Sequence, residues 1–170
     1  MSGATLRRCI LRVALALTVV PATGSALSGD GLPEIPGAKV VSFKQLSNFA
    51  YVPSGAEVTT PPQIPYPPDV LALQGQRVAV RGYLLPMDFD QKGIIAFFLM
   101  ARPDQGCCFG SGLALNEWID VRWKGKPLTK FNGTVPVTVI GTLDVKPDIS
   151  GGAIGSLYHM EGVELREEDQ

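Results

Sequence analysis

Two adjacent cysteines, Cys107 and Cys108, lie in a glycine-rich stretch that runs from Asp104 to Trp118 between two apolar segments. Adjacent thiols have three uses. They can bond to each other, but consecutive Cα atoms lie only about 3.8 Å apart, so a vicinal disulfide is strained and readily reduced. They can hold a soft metal ion as thiolates, with zinc and copper the candidate ions. Neighbouring side chains of a strand point oppositely, so that use requires the loop to turn between them, and Gly106 and Gly110 supply the backbone freedom. Lastly, they can stay as thiols and pack as small apolar groups. The two-residue spacer of the usual zinc and redox motifs is missing, and the three uses stay open.

His159, the single histidine, would complete a metal site in a two-cysteine protein, and the alternative is an ordinary packing residue of a strand. Asp104, Glu117 and Asp120 flank the cysteine stretch and could fill out a zinc sphere, although solvated surface charge explains them equally. Met87, Met100 and Met160 offer thioethers to copper(I), against a core role. Asn116 is placed to brace the loop, because asparagine side chains readily bond nearby backbone groups. Tyr83, Trp118 and Trp123 serve packing or ligand stacking alike. No phosphate-cradling glycine loop, metalloprotease motif or serine elbow is present, and the reading favours a non-enzymatic binding module.

The elements that must carry these groups are short and β-like. Arg77 to Leu85 alternates, with Gly82 where the strand can bend. Gly93 to Met100 is a continuous apolar run, expected to be covered on both faces, after a turn at Asp88 to Lys92. Trp118 to Trp123 alternates again, Val135 to Val145 gives a fourth strand, and Ser156 to Leu165 a fifth, entered through the glycines after Ser150. Five strands with a bent first member predict a mainly β fold, a small OB-like barrel over 67–165. Before it, residues 27–66 form an extended arm and proline-rich linker, in which Ser42 can cap one helical turn carrying Phe43 and Leu46. The arm is expected to pack on the domain surface, and residues 166–170 to form a frayed tail.

Residues 1–26 read as a signal peptide: Arg7, Arg8 and Arg12, then an apolar run from Val13 to Val20, then small residues up to Ala26. Leu6 to Arg12 also fits a twin-arginine signal, and the apolar run is too short to span a bilayer, so the expected address is periplasmic or secreted. Loss of the three arginines takes the formal charge from −1 to −4. With no Lys/Arg cluster outside the signal segment, nucleic acid is excluded as a partner. An envelope protein or a transporter component remains.

Val70-x-x-Leu-x-Gly-x-Arg-Val-x-Val-x-Gly-Tyr-x-x-Pro86, Cys107-Cys-Phe-Gly110, Asn116-Glu-Trp-Ile-x-Val121, Pro136-Val-x-Val-x-Gly141 and Tyr158-x-Met160 resemble an exported bacterial family, the domain of unknown function 3299. The likeness runs from about Leu46 to Leu165. Other branches carry Cys-x-His-Val, then prolines and Asn-Gln, with the first Cys and the Asn spaced as Cys107 and Asn116 are here. This chain has Phe109 in place of that histidine, so Cys108 would have to substitute as a ligand. The resemblance implies an envelope accessory protein with transport-related or zinc-related associations. Together with the residues, it gives an exported binding protein acting through the Cys107-Cys108 loop, with metal ligands Cys107, Cys108 and His159. The rivals are a thiol-disulfide redox protein and a structural interaction module.

Overall fold

The structure is a computed structural model that describes residues 34–52, 62–103, 112–150 and 152–167. Its strands are β1 (Lys39–Val41), β2 (Arg77–Asp90), β3 (Gly93–Met100), β4 (Trp118–Trp123), β5 (Val137–Asp144), β6 (Asp148–Ser150), β7 (Ala153–Ser156) and β8 (His159–Glu167). Two single-turn helices, α1 (Phe43–Leu46) and α2 (Pro68–Leu71), precede β2, and a 3-10 turn at Leu115–Glu117 leads into β4.

Five strands close into the expected OB-like barrel, in the order β2-β3-β4-β8-β5 and back to β2. Closure depends on the long, bent β2. Its first half pairs antiparallel with β5, from Arg77 with Thr142 to Gly82 with Val137. Its second half pairs with β3, from Tyr83 with Met100 to Asp90 with Gly93. Gly82 stands at the handover, where a Cβ would lie 2.6 Å from the Met100 carbonyl oxygen and 2.8 Å from the Phe43 ring. Only a residue without a side chain lets the strand fold inward there. β4 and β8 run parallel, with Asp120 beside His159.

Two poles result. At the upper pole β3 ends and β4 and β8 begin; at the lower pole lie the β2–β3 turn, the end of β4 and the start of β5. Between them the inward residues of each strand, Val78, Val80, Phe97, Leu99, Ile119, Val121, Val139, Leu143 and Met160 among them, form one buried core. Removing this apolar surface from water is the main force holding the barrel.

The arm departs from the surface role expected of it. β1 adds a sixth strand parallel to β2, and Val41, Phe43 and Leu46 enter the core. Ser42 caps α1 as its sequence position predicts, its Oγ accepting from the Gln45 amide at 3.3 Å. The arm is fastened at the upper pole by side chains that bond its backbone or bond through it: Tyr158 Oη donates to the Leu46 carbonyl at 2.6 Å, and Tyr66 Oη to the Leu157 carbonyl at 2.9 Å. Burial pushes the ionisation of both hydroxyls above the ordinary tyrosine range.

Three boundaries also differ. β2 runs on through the expected turn to Asp90, with register shifts around Asp88 that absorb the irregular sequence. β6 and β7, on either side of the glycines, form a separate hairpin, so the last barrel strand starts only at His159. That strand continues to Glu167, paired with Val137, two residues beyond its expected end at Leu165.

Candidate functional site

Cys107, Cys108, Gly106 and Gly110 lie outside the described residues, as does Asp104. The stem of their loop is described. Met100 and Trp118 are the last register pair of β3 and β4, so the chain leaves and returns at the upper pole. Glu117 ties the two sides together: its Oε2 accepts from Arg102 Nη2 and from the Ala114 amide, both at 2.9 Å, and its carbonyl accepts from the Ala101 amide at 2.9 Å. Glu117 Oε2 is thus engaged in holding the stem. Asn116, only 3% exposed, donates from Nδ2 to the Phe49 carbonyl at 2.7 Å, which joins the stem to the arm.

His159 sits at the same pole. Parallel pairing of β4 with β8 sets Asp120 on one side of it, and antiparallel pairing of β5 with β8 sets Asp144 on the other. His159 Nδ1 lies 3.6 Å from Asp120 Oδ2, and the two side chains are 22% and 19% exposed. Nε2 lies 3.4 Å from Ser156 Oγ. Asp144 is ion-paired with Lys146 and accepts from Gln74 Nε2 at 2.6 Å. The bond from Lys146, then that from Gln74, with a smaller part from His159, hold its carboxyl below the ordinary range.

Ser156, His159 and Asp120 have the residue types of a nucleophilic triad, but not its geometry. Working triads hold their donors and acceptors at about 2.6–3.2 Å, and Ser156 is 2% exposed, shut away from any substrate. Among the described residues, no three His, Cys, Asp or Glu side chains are grouped closely enough to hold a metal ion by themselves. The sequence offered Asp120 only as one of three acids, with Asp104 and Glu117, that could accompany His159; Asp144 and Ser156 follow only from the fold.

The methionines are not gathered. Met100 and Met160 are buried in the core, whereas Met87 is exposed on the second half of β2, toward the lower pole. Trp118 donates from Nε1 to the Gly155 carbonyl at 3.2 Å and packs on Phe98, and Trp123 packs on Phe97. Both tryptophans therefore brace strands. No helix among the described residues is long and apolar enough to cross a membrane.

Among solved structures, the chain is similar to a DUF3299 family protein from Pseudomonas aeruginosa PAO1, 21% identical, with a TM-score of 0.53 over 78% of this chain and 97% of that one. That likeness is one of fold, and it agrees with the resemblance carried by the Cys-Cys-Phe-Gly and Asn-Glu-Trp motifs. A protein read as an aspartyl-tRNA synthetase from Leishmania major Friedlin is 9% identical, with a TM-score of 0.40 over 79% of this chain and 21% of that one. No family model and no curated protein matches the sequence.

Proposed function

We propose that this is an exported envelope module that binds a soft metal ion through the thiolates of Cys107 and Cys108, with His159 as a third ligand. The observation that supports it is the position of His159 beside Asp120, partly open to solvent, at the pole where both ends of the cysteine loop arise. From strand spacing and rise, the His159 Cα is about 8 Å from that of Trp118, where the loop stem ends. Cys108 is four residues from Gly112, a reach of up to about 14 Å. His159 and the stem of the cysteine loop thus lie at one pole.

The donor set suits zinc or copper(I), which favour sulfur and imidazole over carboxylate alone. Asp120 would act behind the histidine. At 3.6 Å from Nδ1 the carboxylate is farther than a hydrogen bond, and it would fix the tautomer and leave the other nitrogen for the ion only by closing that gap when the ion binds. The Ser156 contact at 3.4 Å is too long to commit Nε2 elsewhere. The basic, apolar and small residues of the leader support export.

The test is intact mass of the purified protein, native and denatured, with and without alkylation. A native metal adduct, lost in Cys107→Ser and Cys108→Ser and weakened about 10–100-fold in Asp120→Asn, is the expected result. A denatured, unreduced mass two hydrogens light with no metal would replace this reading with the thiol-disulfide one. Two free thiols without metal, alkylated only after denaturation, would leave an interaction module.

A further inference from the structure

The outer surface of a small antiparallel barrel ordinarily carries polar side chains, because the core needs only the inward residues. Three strands depart from that rule. Leu84 of β2, Leu99 of β3 and Ile119 of β4 belong to the core, so their chain neighbours Tyr83, Leu85, Phe98 and Trp118 stand on the outer face. All four are half-buried. Leu85 is in register with Phe98, and the rings of Phe98 and Trp118 lie 6.1 Å apart. With its Nε1 bonded to the Gly155 carbonyl, Trp118 is held in one orientation, so little side-chain freedom is left to lose on binding.

A cavity of about 250 Å³ adjoins this row, over the point where β2 changes partner. Ser42 and Phe43 of the arm, Arg81 and Tyr83 of β2, Ala101 and Pro136 line it. Tyr83 belongs to both cavity and row, which makes them continuous. From Tyr83 on β2 to Trp118 on β4 is two strand spacings, about 10 Å, the width of two sugar rings laid side by side. The charges around this face balance. Among the described residues, the surrounding segments 42–44, 81–88, 96–102, 117–122, 130–136, 148–150, 152–156 and 159–161 hold five basic and five acidic side chains. Several are matched pair by pair: Arg102 is bonded to Glu117, and Arg122 stands in register with Glu161. Nor is a strand edge open at the cavity, since β2 pairs with β5 up to Gly82 and with β3 from Tyr83.

We propose that this face binds a neutral glycan, with one sugar ring in the cavity against Tyr83 and its neighbour along Phe98 and Trp118. A sugar ring has an apolar C–H face and a rim of hydroxyls. The aromatic side chains meet the face, and the rim meets the Arg81 guanidinium, the Tyr83 hydroxyl and Ser42, whose Oγ accepts from the Gln45 amide and keeps its own proton to donate. OB-type barrels use this part of their surface for oligosaccharides and oligonucleotides alike, and a polyanion would need an excess of cations that the balanced charge does not supply. An extended peptide would bind by adding to a strand edge, and the cavity offers none. This inference does not depend on the cysteine loop.

Calorimetric titration of the full chain with maltotetraose, cellotetraose and chitotetraose tests it. Saturable binding of at least one of them is expected, tighter than that of its disaccharide and unchanged when salt is raised to about 1 M, because no ion pair is formed. Tyr83→Ala and Arg81→Gln are each expected to weaken it roughly tenfold, the scale of one lost ring contact or one hydrogen bond to a charged group. Arg81 is exposed, so urea unfolding of Arg81→Gln is expected to stay close to wild type, which separates loss of the site from loss of the fold. Binding of none of the three sugars, or binding that neither variant weakens, overturns the proposal. So does binding that salt abolishes, or binding of a polyproline peptide or an oligonucleotide where the sugars fail.

Discussion

Replacing Tyr158 with Phe removes one oxygen and tests whether the arm belongs to the folded unit. In the native protein that hydroxyl is fully buried and donates to the Leu46 carbonyl at 2.6 Å, across 112 residues of sequence. A net hydrogen bond contributes about 1 kcal/mol, and a buried acceptor left without its donor costs about 1–3 kcal/mol. The ring itself stays, so no large cavity is added. The expected loss is about 2 kcal/mol, and with a urea slope of about 2 kcal/mol/M the unfolding midpoint falls by about 1 M. The slope should not change, because the same surface is exposed on unfolding. Leu46→Ala sets the upper scale, since deleting a fully buried leucine side chain costs about 2–5 kcal/mol. If Tyr158→Phe leaves the midpoint within about 0.1 M while Leu46→Ala lowers it, the hydroxyl contact is wrong. If neither variant moves it, the arm is not in the core.

Gly82→Ala should cost about 1–3 kcal/mol in the same assay, because the new methyl meets the Met100 carbonyl and the Phe43 ring where β2 changes partner; a neutral result would deny that the bend needs glycine. Alkaline titration gives an independent check at Tyr66, whose hydroxyl burial pushes above its unfolded range. The unfolded chain releases this proton near pH 10 and the folded chain at higher pH, so the contribution is complete below about pH 10 and is lost as pH rises further. Urea midpoints measured between about pH 9 and pH 11 should fall more steeply for wild type than for Tyr66→Phe.

Much of the barrel could be read from local pattern. β3 and β4 lie where apolar runs between turn residues place them, and Ser42 starts α1 because an extended serine satisfies an otherwise orphan amide. Local pattern fails where the decisive partner is remote. The arm looked like a surface strap because its anchors, Tyr158 and Asn116, are 112 and 67 residues away from the carbonyls they bind. The β6–β7 hairpin was hidden by its glycines, which carry no periodicity. At the upper pole, His159 and Asp120 were visible as residue types, but their 3.6 Å approach and the presence of Asp144 come from the pairings of β8 with β4 and β5. A cleft at the lower pole was illegible for the same reason, since Lys92 and Lys124, which both line it, stand 32 positions apart in the chain.

β3 runs from one pole to the other in eight residues, Gly93 to Met100, which at about 3.3 Å per residue separates the ends by roughly 20–25 Å. At physiological ionic strength, charges are screened over about 8 Å. The barrel therefore acts as an insulating spacer. A change of charge beside His159 leaves the potential around Lys124 almost unchanged, so each pole can gain or lose charge without the other responding.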